Sequence, residues 1–426
     1  MAITLSGVGQ APSQTWNWLK INDGTLQVPT PPAADPAAEV PAAARRITCG
    51  AGVDATQWLD AAATARRVVV VPSGTRGAHV SVAVDCALGS VAQTCVFART
   101  NSEVSVDVVV AEGLGAAPAE RDERAHAEAN EDAARAADLP RATDEAPRTS
   151  GHALRIHAEA GSRVHVTLLV AAGAGEQYLD SLGVTADDHA EVTVRQYVIG
   201  AGTTALGTAV DLAGDRSRLD LTLRYLAGAG EKLDLGYSVP MRGKKSRANL
   251  DMTGVLSGDA EKSLRATIDL VHGCKGAKGS EQETVLMAGD DVTNKTLPVI
   301  LCDEDDVEGA HGAAIGSVSP EQLVYLQDRG LSEAEALELF SRAIVDDAAN
   351  TLPGAAPAAV VSWAAKALGG SAAEEIADSL ELGHLAASAD THGAVAPAAA
   401  ISGTAPAPSD PTHADAPASA STESEA

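Results

Sequence analysis

The densest group of side chains able to do chemistry is Asp303-Glu304-Asp305-Asp306-Val307-Glu308-Gly309-Ala310-His311-Gly312-Ala313-Ala314-Ile315-Gly316. Five acids fall in six positions, close to one imidazole, inside a Gly/Ala-rich stretch. Carboxylates and an imidazole are ligands for iron and similar cations, and they are also contacts for a partner chain. The same composition describes a solvated acidic turn followed by a last strand, and composition alone favours the turn, because runs of charge are usually solvated. His311, Asp305 and Asp306 are therefore the candidate site residues, with His311 at most a metal ligand.

No other segment carries a reaction. Gly273-Cys274-Lys275-Gly276-Ala277-Lys278-Gly279-Ser280 holds the residue types of a phosphate loop in the wrong order. That loop must end in Gly-Lys-Ser/Thr so that the lysine reaches the phosphates from a helix start. Gly50-Ala51-Gly52 is a lone GxG without a preceding strand. No nucleophile elbow and no HExxH helix occurs. Asp187-Asp188-His189 falls on a turn, where Asp serves turn geometry. Cys49, Cys86, Cys95, Cys274 and Cys302 are odd in number and contain no CxxC pair, so no zinc ribbon or ferredoxin-type site is written. Buried or partly buried free thiols are expected. The chain is not expected to be an enzyme.

The elements that must hold His311 in place follow from an internal repeat. Ser162, Ala190, Ser217 and Ser246 recur at spacings of 28, 27 and 29. Inward-type residues follow two positions later (Val164, Val192, Leu219, Ala248) and four positions later (Val166, Val194, Leu221, Leu250). Between them stand His165, Thr193, Asp220 and Asn249, mostly polar. This period-2 alternation marks a strand with one buried face. A second strand tract follows in each repeat: 205–212, 233–239 and 264–271. Gly-rich or charged turns separate the tracts. Repeats of this length with two strands favour a stacked β-solenoid over a β-sandwich. The predicted fold is mainly β, a single-stranded right-handed β-helix, with 68–71, 80–84 and 104–110 as earlier rungs.

Flanking segments read differently. Residues 1–67 form an N-terminal segment with a Pro/Ala linker. The core spans 68–318, and 113–150 is an insertion without an apolar face to bury. Ser319-Pro320-Glu321-Gln322 and Ser332-Glu333-Ala334-Glu335 read as capping boxes, and Gly330 as a helix stop. Residues 319–384 are thus a helical domain of about four helices, expected to close one end of the solenoid. The acidic Ala/Pro/Ser stretch 385–426 is expected to be disordered.

Charge bounds the partners. With 31 Lys+Arg against 58 Asp+Glu the net charge is −27, which opposes nucleic acid and anionic membrane. Aromatics make up 3%, too few for base-stacking platforms. No signal peptide and no apolar run of the ~20 residues a membrane span needs is visible, so a cytoplasmic location is expected.

Asp305-Asp306-Val307, His311-Gly312-Ala313 and Gly316 resemble the DDV…HGAT-x-G signature of the SufB/SufD family of iron–sulfur cluster assembly proteins. The stretch from Ser319 to Leu331, including Leu323-Val324-Tyr325-Leu326-Gln327-Asp328-Arg329-Gly330, is similar to the helical segment that follows the signature, with Glu335-Ala336 beyond it. Thr15-Trp16-Asn17-Trp18-Leu19-Lys20-Ile21-Asn22 resembles the family's N-terminal segment. The resemblance is closest to the SufD branch. It implies a β-helix core with C-terminal helices, a SufB-like partner in a heterodimer, and a SufC-like ABC-type ATPase docked on the helices. It implies no cofactor in the isolated chain, a transient iron–sulfur cluster at the SufB–SufD interface, and His311 near that interface. Two departures stand out: Gly309 where the family often has Cys, and Ala314 where it has Thr. They put thiol-based cluster ligation by this chain in doubt.

Tyr325, Leu326, Leu337, Leu339 and Phe340 are more apolar side chains than two short helices need for internal packing, and are candidates for ATPase docking. Two other functions compete. A carbohydrate-active β-helix would need aromatics on one rung position, and Tyr178, Tyr197, Tyr225 and Tyr237 do not share one. A purely structural solenoid would polymerise from an uncapped end.

Overall fold

A tract that alternates inward and outward residues can bury one face, and its backbone groups need partners on both sides. Stacking successive tracts in parallel satisfies both demands at once. The computed structural model describes residues 1–12, 21–31, 40–114, 147–173, 175–200, 202–317, 320–368, 371, 373–378 and 380. All lie in one unit, Met1–Glu381; the second unit, Leu382–Ala426, lies outside the described residues. So do the 15–20 stretch of the N-terminal motif, most of the insertion, Ser319 and the acidic tail.

Two eight-stranded parallel sheets form a solenoid of eight coils. One sheet runs β3 (Ala65–Val71), β5 (Val91–Ala98), β7 (Thr149–Ala158), β9 (Gln177–Ala186), β11 (Thr203–Leu212), β13 (Lys232–Met241), β15 (Glu261–Leu270) and β17 (Thr293–Cys302). The other runs β4 (Ala78–Asp85), β6 (Glu103–Ala111), β8 (Arg163–Ala171), β10 (Glu191–Gly200), β12 (Arg218–Ala227), β14 (Arg247–Ser257), β16 (Lys278–Ala288) and β18 (Glu308–Gly316). Strand β7 begins at Thr149, inside the span read as insertion.

The repeat maps onto the register residue for residue. Val164, Val192, Leu219 and Ala248 pair in series, as do Val166, Val194, Leu221 and Leu250. All eight are buried in the lumen. The recurring small residue follows a left-handed corner. Asn101, His189, Arg216 and Lys245 have φ of 56–57°. Gly161 and Gly276 take the same role at 68° and 72°. Each donates its N–H to a carbonyl of the next coil at 2.6–3.0 Å, and Ser102, Ser162, Ala190, Ser217, Ser246 and Ala277 then turn inward and are buried. A left-handed non-glycine residue costs about 1–2 kcal/mol. Each coil buries several Val or Leu side chains worth about 1.5–3 kcal/mol apiece, so the corner is carried easily. Asp188 serves this corner too, accepting from Asp215 N–H at 2.7 Å, while Asp187 meets His157 at 3.0 Å.

The outer faces are covered by the flanking segments. A hairpin of β1 (Ala2–Val8) and β2 (Gly24–Pro29), with helix α1 (Val53–Ala62), packs on the β7–β11 region through Leu5, Leu26, Trp58, Leu59, Leu179 and Ala205. The lone GxG explains itself here: a Cβ on Gly207 would lie 2.0 Å from Ala51 N, and one on Gly50 would lie 2.1 Å from Thr208 N. Backbone meets backbone, which only glycine allows.

Helices α2 (Pro320–Gln327), α3 (Glu333–Thr351) and α4 (Ala356–Ala367) follow the solenoid, and residues 373–378 are helical again. Ser332 and Glu335 form the expected capping box, and Gly330 sits at φ 88°. Among the described residues, α3 and α4 pack on a flank of the solenoid and not across its end. Ile344, Val345, Ala348, Leu352, Val360 and Ala364 pack on Val109, Leu169, Tyr197, Ile199 and Val255, on the outer face of the β4–β18 sheet. The apolar stripe of α3 and α4 matches an apolar outer face, so burial decides for the flank. Tyr178, Tyr197, Tyr225 and Tyr237 are all buried, and none offers a ring to a sugar.

The lumen holds polar groups as well. Tyr178 O–H donates to Asp180 at 2.9 Å, and His152 Nε2 lies 3.0 Å from Thr94 Oγ1. Burial pushes the Asp180 carboxyl up to about 7 and pulls the His152 imidazole down to about 3.

Two outcomes follow from the packing. Gly207→Ala overpacks the Ala51 contact and lowers stability by roughly 1–3 kcal/mol; an unchanged thermal midpoint would contradict the close approach. Asp180 binds its proton more tightly folded than unfolded, so its contribution is full below pH 4 and is lost as pH rises to 7. Asp180→Asn keeps an acceptor for Tyr178, and its stability relative to the parent rises over that window by up to about 4 kcal/mol. Urea titrations at pH 4, 5.5 and 7.5 read this difference.

Candidate functional site

The last two coils depart from the aliphatic lumen. The column Val80, Val106, Val166, Val194, Leu221 and Leu250 ends in Glu281 and then His311. The next column passes through Leu223 and Met252 to Glu283 and Ala313. On the facing sheet, Leu233 is followed by Lys262 and Asn294, and Leu264 by Thr296.

Glu283 is satisfied. Lys262 Nζ donates to its Oε1, Tyr225 O–H donates to Oε1 at 2.9 Å, and Thr296 Oγ1 donates to Oε2 at 2.7 Å. Lys262 Nζ also reaches Thr296 Oγ1 at 2.9 Å and lies 5.6 Å from the Tyr225 ring centroid. The ring has room because position 254 is glycine, where a Cβ would fall 2.0 Å from Tyr225 Cε2. Burial pulls the Lys262 ammonium below its usual range, and the Glu283 carboxylate opposes that pull. Lys262 and Glu283 are both within 1% of full burial.

Glu281 is not satisfied. It is 1% exposed, and neither carboxyl oxygen has a hydrogen-bond partner. Burial, then the neighbouring Glu283 charge, push its carboxyl up to about 8, so the neutral acid dominates at pH 7. Its rung neighbour His311 sits mid-strand on β18 and is exposed. Strand β18 is the edge of its sheet, and no described strand pairs with its outer side.

Asp305 and Asp306 lie elsewhere, exposed in the turn between β17 and β18. That turn is a solenoid corner. Asp306 O accepts from Gly276 N–H at 2.6 Å, and Glu304 accepts from Gly273 N–H at 2.9 Å. Asp306 lies in the bend before β18 begins at Glu308, and His311 sits three residues into that strand, about 10 Å along it at ~3.3 Å per residue. The residue that the strand register places beside His311 is Glu281. Among the described residues no group of three or more His, Cys, Asp or Glu side chains is placed to hold a metal ion. Gly309 faces Ile300 and Leu270, and a Cβ there would meet them at 3.2 and 3.4 Å. Cys302 is exposed at the end of β17.

Glu281 and its neighbours were legible one step past the repeat. Ser246 is followed 31 residues later by Ala277, and the same +4 offset lands on Glu281. An acid on an inward position was the signal.

Tyr325, Leu339 and Phe340 are 56%, 52% and 41% exposed. Leu326 is half-buried, and the Leu337 side chain lies outside the described residues. Arg329 stacks over the Tyr325 ring, 3.5 Å from its centroid. Phe340, Ile344, Ile315, Val255 and Leu286 line a groove of about 740 Å³ between α3 and the sheet. No described helix is long and apolar enough to cross a membrane.

Residues 121–344 match the family model described as the SufBD core domain of SUF-system iron–sulfur cluster assembly. The chain is 30% identical to the iron–sulfur cluster assembly protein SufD of Bacillus subtilis over 153 residues, 36% of this chain and 35% of that one. It is 29% identical over 155 residues to a SufBD family protein of Mycobacterium leprae, covering 36% of this chain and 18% of the relative. A SufBD family protein of Pyrococcus horikoshii is 27% identical over 155 residues, with 34% of its length covered. The matched segment thus spans about a third or less of each of these relatives.

The ionic end of the lumen yields one expectation. Lys262→Met leaves Glu283 as a buried charge without its cation and lowers stability by roughly 3–5 kcal/mol. Adding Glu283→Leu recovers part of that loss; a double variant no better than the single in urea unfolding would contradict the pairing.

Proposed function

The chain belongs to the SufB/SufD core family of the SUF iron–sulfur cluster assembly system, and from that premise we propose that it is a non-catalytic, SufD-like scaffold subunit of a SufBCD-type complex. It pairs with a SufB-like subunit through the open β17/β18 end and docks a SufC-like ABC-type ATPase on its helices. The cluster assembles transiently near His311, in the cytoplasm. The observation that carries this reading is the edge strand β18, which presents His311 on an exposed, unpaired side above an ionic lumen. Unpaired strand edges are templates for another chain.

The mechanism is mechanical. ATP closes the two ATPase subunits, the attached helices follow, and the two solenoids shift at their shared end. Helix α3 is braced on β10 by Tyr197 O–H donating to Asp347 at 2.7 Å. Motion of the helix is thereby coupled to the sheet that ends in β18. The exposure of Tyr325, Leu339 and Phe340 supports the docking part, because a free apolar patch of this type suits a partner surface.

Co-expression with the SufB-like and SufC-like proteins of the same organism, followed by purification on a tag placed on this chain, tests the reading. Co-purification of both with ATPase activity above SufC alone is expected; a lone monomer would sink it. Leu339→Asp should keep the thermal midpoint and weaken ATPase binding at least about tenfold, ~1.4 kcal/mol. An unfolded Leu339→Asp variant would return that residue to the core. His311→Ala should leave the complex assembled and lower its yield of iron–sulfur cluster.

A further inference from the structure

We propose that the solenoid edge formed by the corners before β12, β14 and β16 docks the acidic face of another protein, a helix with acids spaced one turn apart. This surface is neither the open β17/β18 end nor the C-terminal helices, and the proposal does not rest on the assembly reading.

The chain has a net charge of −27, yet cations gather on these three successive corners and on the strand starts that follow them. Arg242 and Lys278 pair with Asp211 at 3.2 Å and Glu308 at 2.6 Å. Arg216, Arg218, Lys244, Lys245, Arg247 and Lys275 are exposed and enter no ion pair among the described residues. Lys275 feels the Glu304 carboxylate of the next corner without pairing with it. Asp215 is the one acid in the three corner segments, and its carboxylate is occupied by the Lys244 N–H at 2.8 Å. The corners stack directly: Arg216 N–H donates to Lys244 O at 2.8 Å and Lys245 N–H to Lys275 O at 2.9 Å. Rows ~4.8 Å apart lie well inside a Debye length of about 8 Å, so the cations act as one band. A left-handed corner favours Gly or Asn, as at Gly161, Gly276 and Asn101, but Arg216 and Lys245 stand there instead. Folding alone gives no reason for that choice.

The band is bounded on both sides. The corner before β10 carries Asp187 and Asp188, and the corner before β18 carries Asp303 to Asp306, all acids. A nucleic-acid strand is uniformly anionic, and continued along this edge it would meet those acids and be repelled. A short acidic patch on a protein avoids them. The flanking acids also fix where that patch sits, since a shift of one or two coils sets like charges against each other. A helix presents one acid per ~5.4 Å turn, close enough to the ~4.8 Å row spacing to meet three rows with little drift. The rows are held by backbone hydrogen bonds, so the charges are in place before the partner arrives.

The test uses the purified full chain and a fluorophore-labelled, Ala-based helical peptide with Glu at every fourth position, read by anisotropy at low and at physiological salt. Binding by the parent that weakens with salt is expected. Arg216→Asn, Lys244→Gln, Lys245→Asn and Lys275→Gln together should weaken it at least about tenfold at an unchanged thermal midpoint, because Asn suits both left-handed corners. Arg218→Gln with Arg247→Gln leaves the corners untouched and should weaken it about threefold or more. A control removes four cations that already sit in ion pairs elsewhere: Arg76→Gln, Arg99→Gln, Arg163→Gln and Lys232→Gln. It changes the net charge as much as the corner variant does and should bind the peptide as the parent does. An equal loss in the control, no binding by the parent at low salt, or tighter binding of a DNA duplex than of the peptide would overturn the proposal.

Discussion

The structure rests on one constraint: every coil must hydrogen-bond to the coil on each side without slipping by a residue. A slip of one would turn each buried Val and Leu outward, since side chains alternate along a strand. The corners enforce the register. A left-handed residue lends its N–H to the next coil and turns a buried Ser or Ala inward, from Asn101 to Gly276. Because the corners repeat, the lumen columns are continuous, and what stands at each coil can be compared position by position.

That comparison locates the unusual end. Through most of the solenoid the columns hold Val, Leu and Ile, with polar groups such as Gln196, Tyr237 and Thr208 bonded to each other at 2.9 and 3.1 Å. At the last two coils the same positions hold Lys262, Glu281, Glu283 and His311. Fully buried charges are costly unless paired. Lys262 and Glu283 pair; Glu281 does not, and burial holds it mainly as the neutral acid at pH 7, its oxygens without hydrogen-bond partners. An end built for stability alone would have continued the aliphatic series, so the polar end is better understood through what meets it.

The flanking segments divide the two outer faces between them. The N-terminal hairpin and α1 take one, through a backbone approach that requires Gly50 and Gly207. The C-terminal helices take the other, through Ala- and Val-rich faces and the Tyr197–Asp347 bond. With both flanks covered, the described residues leave β17 and β18 as a bare end of the stack. A pair of solenoids meeting there would bury backbone edges that otherwise face water.

The sequence by itself determined the solenoid. The spacing of Ser162, Ala190, Ser217 and Ser246 and the alternation after each were enough to place strands and inward faces, because local periodicity is what a parallel stack repeats. It also determined the capped start at Ser332 and the family, through the ordered signature around His311. Where the helices lie was left to tertiary packing: their apolar stripe would suit an end or a flank, and only the outer-face residues Val109, Leu169 and Ile199 chose between them. The same is true of the partner of His311. Asp305 and Asp306 are near in sequence, but they stay in the bend before β18, while His311 is carried three residues into the strand. Parallel pairing brings Glu281, thirty residues earlier, to its side instead.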